Sequence, residues 1–289
     1  MSPKIYTSPY PNVDVPKRSV FTHLFEASNG RIGGFPGSSP AFVDAPTGTR
    51  LSRAQLKSFA LQLAYSLRNH PAFQAKRGDT VLIYSQNSLS WPVALFGSGA
   101  TSPLHASSTS TRNINPCSTV AAGLRATLAN NAYTVKELAF QYTDSGAKIV
   151  FTSEEGVPTV IETLKSLGIG EEEIKKRVIV LTTSLHWAGN SHVPILPTSK
   201  GFATLADYLG RGSLAEEEKF DGELTNEVVY LCYSSGTTGK PKGVEVSELK
   251  STIQVVDFLL TSLSRQRTEI SLPFSSKSDQ CFHVARMVL

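Results

Sequence analysis

The chemistry of this chain is concentrated in one stretch, Ser234-Ser235-Gly236-Thr237-Thr238-Gly239-Lys240-Pro241-Lys242-Gly243. Four hydroxyls, three glycines and two ammonium groups stand side by side there. Glycine tolerates positive φ and close approach, so successive backbone N–H groups can turn toward one point. The hydroxyls add donors, Lys242 and Lys240 add positive charge, and Pro241 stiffens the turn. A polyphosphate uses all of these. The common phosphate loop, G-x-x-x-x-G-K-[ST], is excluded, because Gly236 and Gly239 are only three apart and Pro241 follows Lys240. A short Ser/Thr/Gly match is usually a surface turn. The length of this one, and the apolar β-branched run Glu227–Cys232 leading straight into it, favour a binding loop.

The elements that must position this loop alternate along the chain. Pro3, Pro9, Pro11 and Pro16 make the first twenty residues an extended arm, and a short helix is expected from Phe21 to Ala27. Ala41–Asp44 reads as a strand, followed by a turn at 46–49 and a resumed strand at Leu51. Ser52-Arg-Ala-Gln55 is a capping box, and Leu56, Phe59, Ala60, Leu63 and Leu67 behind it form one apolar helical stripe. A buried strand follows at 78–84, then a helix around Trp91–Phe96. Thr134 and Glu137 make a second capping box, with Leu138, Ala139 and Tyr142 facing inward and Gly146 stopping the helix. Lys148–Thr152, Val157–Leu167 and Arg177–Thr182 continue as strand, helix and strand, and a short helix is expected near Leu205–Leu209. This order predicts an α/β fold, with parallel sheets flanked by helices and joined by right-handed crossovers.

One segment breaks the alternation. Residues 99–119 are crowded with Ser and Thr, carry almost no charge and show neither period. A structureless stretch of that length inside a compact domain is suspect. The reading is an insertion, either a gene-model error such as translated intron or a genuine low-complexity loop.

Composition narrows the function. The chain has 289 residues, 40% hydrophobic and 18% charged, with a formal net charge of +4. These are ordinary values for a globular protein with a sizeable core. Basic residues are scattered. Glu171 with Lys175 and Glu172 with Lys176 stand four apart, a solvated helix face and not a nucleic-acid patch. Glu216–Glu218 reads as solvated surface too. Cys117, Cys232 and Cys281 lie far apart and the six histidines show no ligand spacing, so neither a disulfide framework nor a metal site is expected. No signal peptide or membrane span is visible, which fits a cytoplasmic protein.

The loop and the strand before it resemble the adenylate-forming (AMP-binding) enzymes, most of all their acyl-CoA synthetase and 4-coumarate–CoA ligase branch. Ser234 through Gly243 match that family's phosphate-loop pattern, with Lys242 at its loop lysine and Lys240 where many members are apolar. The likeness covers about 10–98 and 120–247, leaving 248–289 as a tail without clear resemblance. The resemblance implies an incomplete N-terminal adenylation domain. It also implies ATP, Mg2+ and coenzyme A as cofactors or co-substrates, a small-molecule carboxylate substrate, and thioester formation through an acyl-adenylate. In that chemistry Ser234, Ser235, Gly236, Thr237, Thr238, Gly239, Lys240, Lys242 and Gly243 would hold the phosphates, with the glycines permitting the fold-over. The family's magnesium-positioning Glu and lid lysine have no counterpart here, so a truncated and catalytically incompetent chain is expected. A nucleotide-binding pseudoenzyme and an adenylation module serving a carrier protein are the alternatives. A full-length form could be peroxisomal, but Ala285–Leu289 is no S-K-L address.

Overall fold

The computed structural model describes residues 15–98, 121–234 and 241–253. Along the chain run α1 (Val20–Phe25), β1 (Ala27–Ser28), β2 (Arg31–Ile32), β3 (Phe35–Pro36), β4 (Pro40–Val43), β5 (Arg50–Ser52) and α2 (Arg53–Asn69). β6 (Thr80–Tyr84), α3 (Ser90–Ser98), β7 (Arg125–Ala129), α4 (Val135–Ser145), β8 (Ala147–Ser153), α5 (Val157–Ser166), α6 (Glu171–Arg177) and β9 (Val178–Leu181) follow. The last are β10 (Ala203–Thr204), β11 (Val228–Ser234) and β12 (Lys242–Ser247). β1–β3 form a small antiparallel ribbon, and β4 pairs with β5.

The seven-stranded sheet has the order β10-β9-β8-β6-β7-β11-β12. Its neighbours are parallel except for the β11–β12 hairpin at one edge. The α/β expectation holds, with that antiparallel edge strand as an addition. Successive β6 residues serve opposite faces, as the two-residue period requires. Val81 and Ile83 join the core under α2 and α3, while Leu82 and Tyr84 join the core under α4 and α5. Leu56, Ala60, Leu63 and Leu67 are buried as the stripe predicts, and Phe59 is half-buried against Trp187.

Both expected capping boxes form. Ser52 Oγ accepts from Gln55 N while Gln55 Oε1 accepts from Ser52 N, and Thr134 and Glu137 exchange the same pair of bonds. Gly146 ends α4 at φ 63°, a left-handed position that favours glycine. Ala139 is only half-buried, beside fully packed Leu138 and Tyr142.

α6 presents the expected solvated face, with ion-pair partners other than the four-apart ones, whereas the reading of Glu216–Glu218 as solvated surface is corrected. Glu171 pairs back to Lys165, Lys175 takes Glu172 one turn away, and Arg177 takes Glu173. The acidic run is solvated only at Glu216. Glu217 accepts from Thr22 Oγ1 at 2.6 Å and from Lys219 at 2.7 Å. Glu218 is held by Arg68 at 2.8 Å and Arg77 at 2.7 Å, and Arg77 also binds Glu227 and lies 4.1 Å over the Phe220 ring. These partners are far away in sequence, so local charge patterning could not show them. The cluster secures the start of β11, whose far end carries the loop.

Residues 248–253 begin a helix within the same unit. Buried Glu248 accepts from Val20 N at 2.7 Å, and Thr252 Oγ1 donates to Arg18 O. The chain leaves α3 at residue 98 and returns at 121 beside its point of departure, where Ala121 N lies 3.4 Å from Phe96 O. The Ser/Thr-rich segment 99–119 lies outside the described residues.

Candidate functional site

β11 is buried at Val229, Tyr230 and Leu231, then becomes progressively exposed to Ser234. It lies inside the sheet, parallel to β7 and antiparallel to β12. Its carboxyl end therefore opens on the edge where α/β sheets bind ligands. The register places Ser234 directly opposite Lys242 and Tyr233 opposite Gly243. Two of the expected site residues, Ser234 and Lys242, are thus cross-strand neighbours. Both are exposed, and the Lys242 ammonium has no ion-pair partner among the described residues. An exposed ammonium across the ladder from an exposed hydroxyl suits an anionic ligand. Ser235, Gly236, Thr237, Thr238, Gly239 and Lys240 lie outside the described residues.

Gly243 sits in regular β12, not in a left-handed turn. Its small size matters for another reason than the expected fold-over. A Cβ added there would stand 3.2 Å from Tyr233 Cζ and 3.3 Å from the Tyr233 hydroxyl oxygen. The glycine makes room for a ring that crosses the hairpin.

Two contacts tie the carboxyl end of β11 to its surroundings. Buried Thr127 on β7 donates from Oγ1 to Leu231 O at 2.8 Å, and Gln141 Nε2 on α4 donates to Thr127 Oγ1 at 2.7 Å and to Leu128 O at 3.1 Å. One turn further along α4, Asp144 accepts from the Tyr233 hydroxyl at 2.5 Å, while Phe140 meets the Tyr233 ring edge-on at 6.4 Å. Burial, with the Asp144 carboxylate beside it, pushes the Tyr233 phenol above its usual range, so it stays a donor. Burial also pushes the Cys232 thiol up, which argues against a reactive thiolate. Cys117 and Cys281 lie outside the described residues, and among those described no three His, Cys, Asp or Glu side chains gather as a metal site.

Sequence reading missed Thr127, Gln141, Asp144 and Tyr233 as supports of the loop. The available signal was the spacing of Phe140, Gln141 and Asp144 on one side of α4. Nothing local says which strand that side covers.

The AMP-binding enzyme profile matches residues 117–285, which includes both hairpin strands and continues through the segment after Ser247. The chain belongs to the AMP-binding enzyme family. Among curated relatives, a 4-coumarate–CoA ligase-like protein of Arabidopsis thaliana is 27% identical over 219 residues, 76% of this chain and 32% of that protein. A phenylacetyl-CoA ligase of Aspergillus niger is 24% identical over 237 residues, 81% of this chain and 36% of its own. The chain therefore spans about a third of the length of the curated relatives it matches. Among solved structures, the red-emitting luciferase of Phrixothrix hirtus aligns at TM-score 0.58 and 21% identity, covering 84% of this chain and 38% of that one. ATP-bound MatB of Rhodopseudomonas palustris aligns at TM-score 0.54 and 21% identity, covering 86% and 38%. These likenesses support the α/β fold.

Proposed function

We propose that this stretch forms the polyphosphate-holding wall of an ATP-dependent acyl- or aryl-CoA ligase. The observation that carries the proposal is the pairing of Ser234 with Lys242, which has no ion-pair partner among the described residues, across the β11–β12 hairpin at the carboxyl edge of the sheet. In the reaction a substrate carboxylate oxygen attacks the α-phosphorus of ATP. The bond to the bridging oxygen breaks, pyrophosphate leaves and an acyl-adenylate forms. Negative charge grows on the departing pyrophosphate, and a preorganised ammonium such as Lys242 offsets it best at that moment. Ser234, with Ser235, Thr237 and Thr238, would donate hydroxyl hydrogens to phosphate oxygens, and Lys240 would add charge. A coenzyme A thiolate then attacks the acyl carbonyl and expels AMP. Mg2+ would enter with ATP, as the nucleotide's counter-ion.

The relatives' names point to aryl and acyl carboxylates as the substrate class. These 289 residues span about a third of those relatives' length, so the complete reaction is proposed for a polypeptide of the relatives' length that contains them. Residues 99–119 are read as an interruption of the adenylation domain. No helix among the described residues is long and apolar enough to cross a membrane.

The test is carboxylate-dependent pyrophosphate release by a polypeptide of the relatives' full length carrying this stretch. Lys242→Ala is expected to lower the rate roughly a hundredfold, the scale for losing one electrostatic contact to a transition state. An unchanged rate would remove the role given to Lys242.

A further inference from the structure

We propose that Tyr233 and Asp144 are a positioning pair that sets Ser234 and Lys242 for phosphate binding. This rests on the polyphosphate reading of the loop. Tyr233 immediately precedes Ser234 and stands opposite Gly243, the residue after Lys242. Its ring covers Gly243 closely enough that a Cβ there would be crowded at 3.2 Å. From that position the hydroxyl reaches α4 and donates to Asp144 at 2.5 Å. One side chain thus spans both strands next to the described ends of the loop and fastens them to a helix outside the hairpin.

The hairpin needs such a fastening at this point. Among the described residues β12 is an edge strand, paired on one side, and Lys242 through Glu245 are all exposed. An edge hairpin held by its ladder alone frays from its exposed end. Fraying there would change the separation of the Ser234 hydroxyl and the Lys242 ammonium, the two groups meant to meet one anion. A short hydroxyl–carboxylate bond is directional and charge-assisted. In an exposed setting it adds little to global stability, so its main effect is local geometry. Phe140, edge-on to the ring, limits the rotation of Tyr233.

The experiment compares wild type with Tyr233→Phe, Asp144→Ala and Asp144→Asn in the 289-residue chain. The readouts are the Kd for inorganic tripolyphosphate and amide hydrogen exchange at residue 234 and residues 242–244. Tyr233→Phe and Asp144→Ala are each expected to weaken tripolyphosphate binding roughly three- to tenfold, the scale of one ordinary hydrogen bond, because the pair acts on the ligand only through its neighbours. Exchange at those residues rises, and the double variant is no worse than either single one. Asp144→Asn, which keeps an acceptor oxygen, recovers part of the loss. Gly243→Ala, which keeps both side chains of the pair but sets a Cβ 3.2 Å from Tyr233 Cζ and so displaces the ring, reproduces the effect. Faster exchange with unchanged affinity would make the pair structural only and overturn the proposal. Unchanged exchange would show that the pair does not anchor the hairpin, whatever the affinities. If wild type binds no tripolyphosphate, the polyphosphate reading fails and this role with it, while exchange still reports separately on the anchor.

Discussion

Replacing residues 99–120 by a four-residue Gly/Ser linker should leave the fold intact and slightly stabilise it. Ser98 closes α3, buried, and Ala121 resumes the chain, also buried, with Ala121 N only 3.4 Å from Phe96 O. A short linker can therefore join points that already adjoin. Loop-closure entropy scales as three-halves RT times the logarithm of loop length, so cutting roughly twenty residues to about four recovers about 1.4 kcal/mol. For a chain of this size that is a rise of about 3–6 °C in Tm. Differential scanning calorimetry or urea unfolding of the two forms measures it. A cooperative transition at the same or a slightly higher temperature supports the reading of 99–119 as an insertion. Loss of cooperative unfolding, or a fall of many degrees, would mean that the segment supplies contacts the domain needs, and would refute the argument.

Two further outcomes follow from buried or paired carboxylates. Glu154 is fully buried and accepts from Thr183 N and Thr183 Oγ1 at 3.0 Å each and from Leu196 N at 2.6 Å, so Glu154→Ala should cost about 2–4 kcal/mol by orphaning these donors; an unshifted urea midpoint would contradict this. For Asp79, burial alone would raise the carboxyl, but hydrogen bonds from Lys148 Nζ at 2.7 Å and Lys76 N at 3.0 Å outweigh it and hold the group below its ordinary value. A carboxylate depressed in the folded state lends stability above its unfolded pKa of about 4 and loses it as pH falls through the lower folded value. Asp79→Asn should flatten the stability profile in that acidic window, and identical slopes for both forms between pH 4 and 2 would count against the pairing.

Legibility in the sequence followed the range of the interaction. Capping boxes at Ser52–Gln55 and Thr134–Glu137 close within one turn, so a four-residue pattern reveals them in full. Strands such as Val178–Leu181 are apolar on both faces because helices cover both sides of a parallel sheet, and that run is visible in the residues. β12 was harder, since Lys242–Ser247 is short and exposed over its first four residues. Contacts between distant segments were not legible at all. Thr22 with Glu217, Arg77 with Glu218 and Tyr233 with Asp144 depend on which helix crosses which strand. At the candidate site, the loop's residue types suggested polyphosphate binding, whereas the supports beside it, Thr127, Gln141 and Asp144, became visible only once β7, β11 and α4 were assembled.

The central claim is that Lys242 and Ser234 face one anionic ligand, and direct binding of Mg2+–ATP to the 289-residue chain tests it most simply. Isothermal titration of wild type against Lys242→Ala should show binding that weakens at least tenfold when the ammonium is removed, a loss of about 1.4 kcal/mol or more. Equal affinities for the two, or no binding by wild type, would contradict the account.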